Sequence, residues 1–160
     1  MTAHAELLDV PLTNDLRDRE TIRFAIVPCS LGHALVALSE HGIVAIFFDV
    51  DARELRRELA RRFPNAELEE GGAELDPVTA QVVAFIESPA SELALPLDIR
   101  GTAFQRSVWG VLRKIPAGTT ATYAEVAQRI GRPSAVRAVA QACAANSLAV
   151  VVPCHRVVRS

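Results

Sequence analysis

The chain has 160 residues, half of them hydrophobic and 22% charged, which excludes a disordered polypeptide and allows one or two small domains with a core that needs no disulfide. Its three cysteines, Cys29, Cys143 and Cys154, show no CxxC spacing; they argue against a disulfide framework or a zinc cluster and fit a reducing cytoplasm. The net charge of −2 hides a division: residues 1–100 carry nine arginines against 18 acids, whereas residues 101–160 carry eight cations against Glu125 alone.

That imbalance predicts an anionic partner for the C-terminal third. Nothing near Met1 reads as a signal peptide, and the longest apolar runs, IVAIFF and LAVVV, are too short to cross a membrane. Residues 1–20 are polar and read as a tail or linker. Three runs rich in β-branched and aromatic residues follow, TIRFAIV (21–27), HALVALS (33–39) and GIVAIFF (42–48). Their turn-sized separations predict an antiparallel meander.

The period then changes. In DARELRRELARRF (51–63), Leu55, Leu59 and Phe63 recur every four residues, which predicts an amphipathic helix capped by Asp51 and stopped at Pro64. DPVTAQVVAFIES (76–88) reads as a second helix, with Asp76 as cap and Pro77 in the first turn. LPLDIRG is extended, and a boundary near Gly101 separates an α/β region, 21–96, from a helical region, 101–160. The helical region opens with TAFQRSVWGVLRKI, whose stripe is Phe104, Val108, Val111, Leu112 and Ile115. TYAE (122–125) is a capping box, and its helix stops at Gly131. RPSAVRAVAQACAAN supplies another helix after Pro133.

Two helices around a glycine turn spell helix-turn-helix, and the second is rich in alanine, with Arg132 and Arg137 near its start. Nucleic-acid binding and tight helix packing both fit this pattern; the local positive charge favours the first. Cys154 closes the apolar run LAVVVPC, where a strand end is expected, with His155 beside it. A buried strand thiol is ordinarily inert, and strand neighbours point to opposite faces. A turn at this point, or a water between them, would let the imidazole serve the thiol. One cysteine and one histidine are too few ligands for a metal site.

PCHRVV (153–158), with AVRAVAQACAAN (135–146) and TYAEVA (122–127) before it, resembles the methylated-DNA–protein-cysteine methyltransferases, which repair alkylated guanine. The resemblance runs from about Ile22 to Arg159; LPLDIRGTAFQ ties it to the family's adaptive-response branch. It implies a ribonuclease-H-like α/β region with a three-stranded antiparallel sheet, then a winged-helix-like domain carrying the helix-turn-helix. Cys154 would be the nucleophile and permanent acceptor of the alkyl group, with no cofactor and a single turnover. His155 would take its proton through a water, and Asn146 would bond the backbone around the cysteine turn. Tyr123 would help rotate the nucleotide out and bond the leaving guanine. Arg137 would fill the gap in the base stack. The alanine-rich helix would lie in the minor groove, with Arg132, Ala138 and Ala142 against DNA, and the carbonyls of Cys154 and Val157 would meet the guanine amine. The implied partner is double-stranded DNA containing alkylated guanine, met by a cytoplasmic monomer.

Beyond the PCHR motif the family has a glycine-containing loop, a pocket tyrosine, and a basic helix with a glutamate that orients the histidine. The sequence given runs to Ser160, so the expectation is a domain truncated after that motif, its C-terminal helix absent. Two functions follow: a suicidal alkyltransferase, or a non-catalytic DNA- or lesion-binding remnant. Cysteine at 154 favours the first, because the family's non-catalytic binders replace it.

Overall fold

The computed structural model describes residues 19–88 and 93–159, and the expected tail falls almost wholly outside them. The architecture is α/β, with a mixed sheet and several helices. Strands β1 (Thr21–Cys29), β2 (Gly32–Ser39) and β3 (Gly42–Asp49) form the expected meander, joined by two-residue turns at 30–31 and 40–41. Period-two alternation gives each strand two apolar faces. β2, in the middle, buries Leu35 and Ala37 on one side of the sheet and Ala34 and Val36 on the other.

The sheet has four strands, where the sequence predicts three. β4 (Glu67–Glu70) adds to the free edge of β1 in parallel, giving the order β3-β2-β1-β4. Its sequence, ELEE, has one apolar residue and no strand signal; an open edge of unpaired backbone groups is what recruits it.

Helix α1 (Ala52–Arg62) starts where Asp51 accepts the Arg53 N–H at 2.9 Å, and it lays Leu55 and Leu59 on one face of the sheet with Ile22, Phe24 and Phe47. Helix α2 (Asp76–Glu87) covers the other face through Val82 and Ile86. Asp76 is the first helical residue and not the cap: a 3-10 turn at Ala73–Leu75 runs into the helix, and Leu75 takes the cap position without a side-chain bond.

The C-terminal part stacks α3 (Ala103–Leu112), α4 (Tyr123–Arg129) and α5 (Val136–Ala144). Both α3 and α4 start on complete capping boxes, Thr102 with Gln105 and Thr122 with Glu125. This part is not wholly helical. β5 (Ala121–Thr122) pairs in parallel with β6 (Val157–Val158), which brings the start of α4 against the segment after Cys154. Trp109 lies off the predicted α3 stripe yet is buried, its indole N–H bonding the Ala142 carbonyl at 2.9 Å. Phe104 and Val111, on the stripe, are only partly buried.

One core joins the regions on either side of Gly101, because Ala34, Val36, Ile43 and Ile46 of the sheet pack with Val108, Leu112, Val126 and Val139. β3 also holds the chain by its outer edge. The Ile43 N–H and C=O pair with Pro96 and Asp98, and Ile46 does the same with Ser147 and Ala149.

Candidate active site

The run LAVVVPC is not a strand. After Leu148 bridges to β3, the chain folds into two successive three-residue turns, Val151 N–H to the Ala149 carbonyl and Cys154 N–H to the Val152 carbonyl, each 2.8 Å. The first is centred on Val150 at φ +70°, a left-handed conformation that β-branched residues avoid. The second is centred on Pro153, whose ring suits the inverse turn at φ −82°, ψ 69°. Cys154 then opens a 3-10 turn, Cys154–Arg156, so thiol and imidazole do not alternate across a sheet.

Asn146 is the hub of this turn. Its amide donates to the Val152 carbonyl at 2.8 Å and to the Cys154 sulfur at 3.3 Å, while its carbonyl oxygen accepts the Leu148 N–H at 2.8 Å. The Cys154 thiol also reaches the Cys143 carbonyl at 3.4 Å and the Cys143 thiol. Contact with that second thiol, reinforced by burial, pushes the Cys154 thiol well above the ordinary cysteine range; the Asn146 amide opposes the rise. Burial, aided by the Arg156 charge, holds the His155 imidazole below its usual value, which favours the neutral ring. Cys154, His155, Asn146 and Cys143 share one pocket of about 500 Å³, whose apolar wall includes Leu31, Phe48, Ile86 and Val150.

The other sequence-predicted residues lie around this turn. Tyr123 is half-buried at the start of α4, carried toward the thiol segment by the β5–β6 pairing. Arg137 is exposed in the first turn of α5; Arg132 is exposed just before it, its guanidinium 5.9 Å from the Phe104 ring centre. Ala138 is partly exposed. Ala142 is a correction: it is 2% exposed and packs in the core beneath Trp109, so it offers no surface to DNA. The Val157 side chain is likewise buried, and its N–H bonds the Cys154 carbonyl. Arg156 donates to the Ile115 carbonyl at 2.7 Å and so ties the thiol turn to the segment just past α3.

Two parts of this pocket carry no sequence signal: Cys143, and the wall from the β1–β2 turn and β3. No spacing rule links those positions to Cys154. Among the described residues no three His, Cys, Asp or Glu side chains converge as metal ligands, and no helix is long and apolar enough to cross a membrane.

Residues 103–160 match the family model described as 6-O-methylguanine DNA methyltransferase, DNA binding domain. A crystal structure of Mycobacterium tuberculosis O6-methylguanine methyltransferase is 30% identical and superposes with a TM-score of 0.67, over 87% of this chain and 79% of that one. The chain belongs to the 6-O-methylguanine DNA methyltransferase family. Within that family it is 49% identical over 138 residues to the bifunctional transcriptional activator/DNA repair enzyme Ada of Escherichia coli, 86% of this chain but 39% of that one. The chain thus spans about two fifths of the length of that relative. The M. tuberculosis protein OGT, crystallised in complex with DNA, is 28% identical with a TM-score of 0.69, over 86% of this chain and 79% of that one.

Proposed function

We propose that this chain repairs DNA by moving an alkyl group, methyl above all, from the exocyclic oxygen of guanine to Cys154, once per molecule and without a cofactor. The observation that carries the reading is the pocket in which the Cys154 sulfur meets the Asn146 amide beside His155, in a member of this family. The thiol proton passes to His155 through a water. The thiolate attacks the alkyl carbon, the S–C bond forms and the C–O bond breaks. Its electron pair stays on the guanine oxygen, and the purine takes up the proton that the thiol gave to His155, relayed through water, with the Tyr123 hydroxyl bonding its ring nitrogen. The products are a thioether and unmodified guanine.

The target carbon lies inside a duplex, so the nucleotide must first swing out, at a cost that is smallest for a mispaired, damaged base. Arg137 enters the vacated stack, while Ala138 and Arg132 meet the backbone. The carbonyls of Cys154 and Val157 read the guanine amine. In this reading residues 21–96 form a ribonuclease-H-like unit, and residues 101–160 a winged-helix-like unit whose helix-turn-helix is α4, the Gly131 turn and α5.

A non-catalytic lesion binder is the second reading. What favours it is His155, whose ring has no hydrogen-bond partner among the described residues to fix its tautomer. Incubation with duplex holding methylated guanine distinguishes the two. A mass gain of one methyl on the Cys154 peptide is expected; an unmodified peptide at concentrations where the duplex is bound would leave only the binder.

A further inference from the structure

Arg62 closes α1, far from Cys154 in sequence. Its guanidinium is gripped by Glu58 at 2.9 Å and lies 5.6 Å from the Phe47 ring centre. Its other nitrogens cross to the C-terminal part. One donates to the Ala145 carbonyl at 2.9 Å and the Ser147 hydroxyl at 3.1 Å, the other to the Ala144 carbonyl at 3.5 Å. These acceptors flank Asn146 on both sides.

The end of a helix leaves carbonyls without intrahelical partners and carries partial negative charge. A cation there both satisfies the carbonyls and fixes the direction in which the chain leaves the helix. Here the next residue is Asn146, whose amide grips the thiol turn through the Val152 carbonyl and touches the sulfur. The path is therefore Glu58, Arg62, the end of α5, Asn146, Cys154, and it enters from the sheet region.

We infer that Arg62 is a positioning residue for the reaction at Cys154: it sets the Asn146 amide against the sulfur by clamping the end of α5. The inference rests on the alkyl-transfer reading for its biological meaning, but not for its test. Iodoacetamide, which alkylates a thiolate without DNA, is the probe, and Cys154 modification is followed by peptide mass.

Arg62→Met keeps the stem over Phe47 and removes the charge; it should slow Cys154 alkylation about fivefold, the net scale of one ordinary hydrogen bond, with duplex affinity unchanged. Arg62→Lys keeps the cation and should recover most of the rate. In the Arg62→Met, Asn146→Ala double variant the losses should not multiply, because both act through one amide. Thermal unfolding of each variant checks the fold. Should Arg62→Met not fold, Glu58→Gln loosens the same clamp and should slow the reaction roughly twofold.

An unchanged rate in Arg62→Met, or in Glu58→Gln where that variant stands in, would overturn the inference. So would no recovery with lysine, or losses that multiply in the double variant. A chain that reacts with iodoacetamide but takes no methyl from DNA would sink the repair reading and leave the Arg62 comparison intact.

Discussion

Cys154 is a thiol whose surroundings oppose its ionisation, since the Cys143 thiol and burial both act against the charged form and only the Asn146 amide supports it. The thiolate is the nucleophile, so the alkylation rate should climb with pH from neutral upward. Cys143→Ala removes the leading cause and lowers the Cys154 value, so the profile moves to lower pH. At pH 7 the iodoacetamide rate should therefore rise. An unmoved profile would show that Cys143 has no hold on the thiol. At this scale the sequence was most legible. Cys154, His155 and Asn146 come from one contiguous stretch, and the structure brings them together at one pocket. Cys143 and Leu31 were not legible, because their role depends on what a folded chain places opposite them.

Among the elements, β3 shows where local pattern stops informing. Its alternation marks a strand, but not that its outer edge carries both the Pro96–Asp98 segment and the thiol turn. Gly42 begins β3 at φ +145°, and a Cβ there would collide with the Pro96 carbonyl. Gly42→Ala should therefore cost about 1–3 kcal/mol, the usual scale for a forced backbone conformation, read as a lower denaturation midpoint with unchanged slope. A midpoint equal to that of the unsubstituted chain would mean the docked segment moves aside freely. The reading of LAVVV as a strand failed for a related reason. Its propensity is β, yet Asn146 and β3 take its backbone groups, and Val150 is forced to positive φ. The same competition explains ELEE, which pairs against its composition because β1 has an open edge.

Over the whole molecule the charge division becomes a division of pairing. The ion pairs of the described residues lie before residue 101, where Arg23, Arg53, Arg56, Arg57, Arg61, Arg62 and Arg100 all meet acids. Arg106, Arg113, Lys114, Arg129, Arg132, Arg137 and Arg159 are exposed, with no ion pair among those residues. Cations left free in this way are available to phosphate. Duplex affinity should fall steeply with salt, with a log–log slope of roughly −0.9 per phosphate neutralised. Replacing Arg132 and Arg137 by Gln should flatten that slope by about two contacts, whereas replacing the paired Arg56 and Arg57 should leave it alone. Equal slopes in both pairs of variants would sever the charge division from DNA binding.

The order of the first three strands and the helices, the Thr122–Glu125 capping box, the charge division and the cluster at 146–155 are written in neighbouring residues. Period, cap chemistry and motif spacing act over a turn or two of chain, so they survive without a fold. The fourth strand, the β3 edge that holds the thiol turn, the burial of Ala142, the Cys143 contact and the reach of Arg62 to the end of α5 are not written there. Each joins residues brought together by packing, and a side chain's partner across the core depends on every element between them.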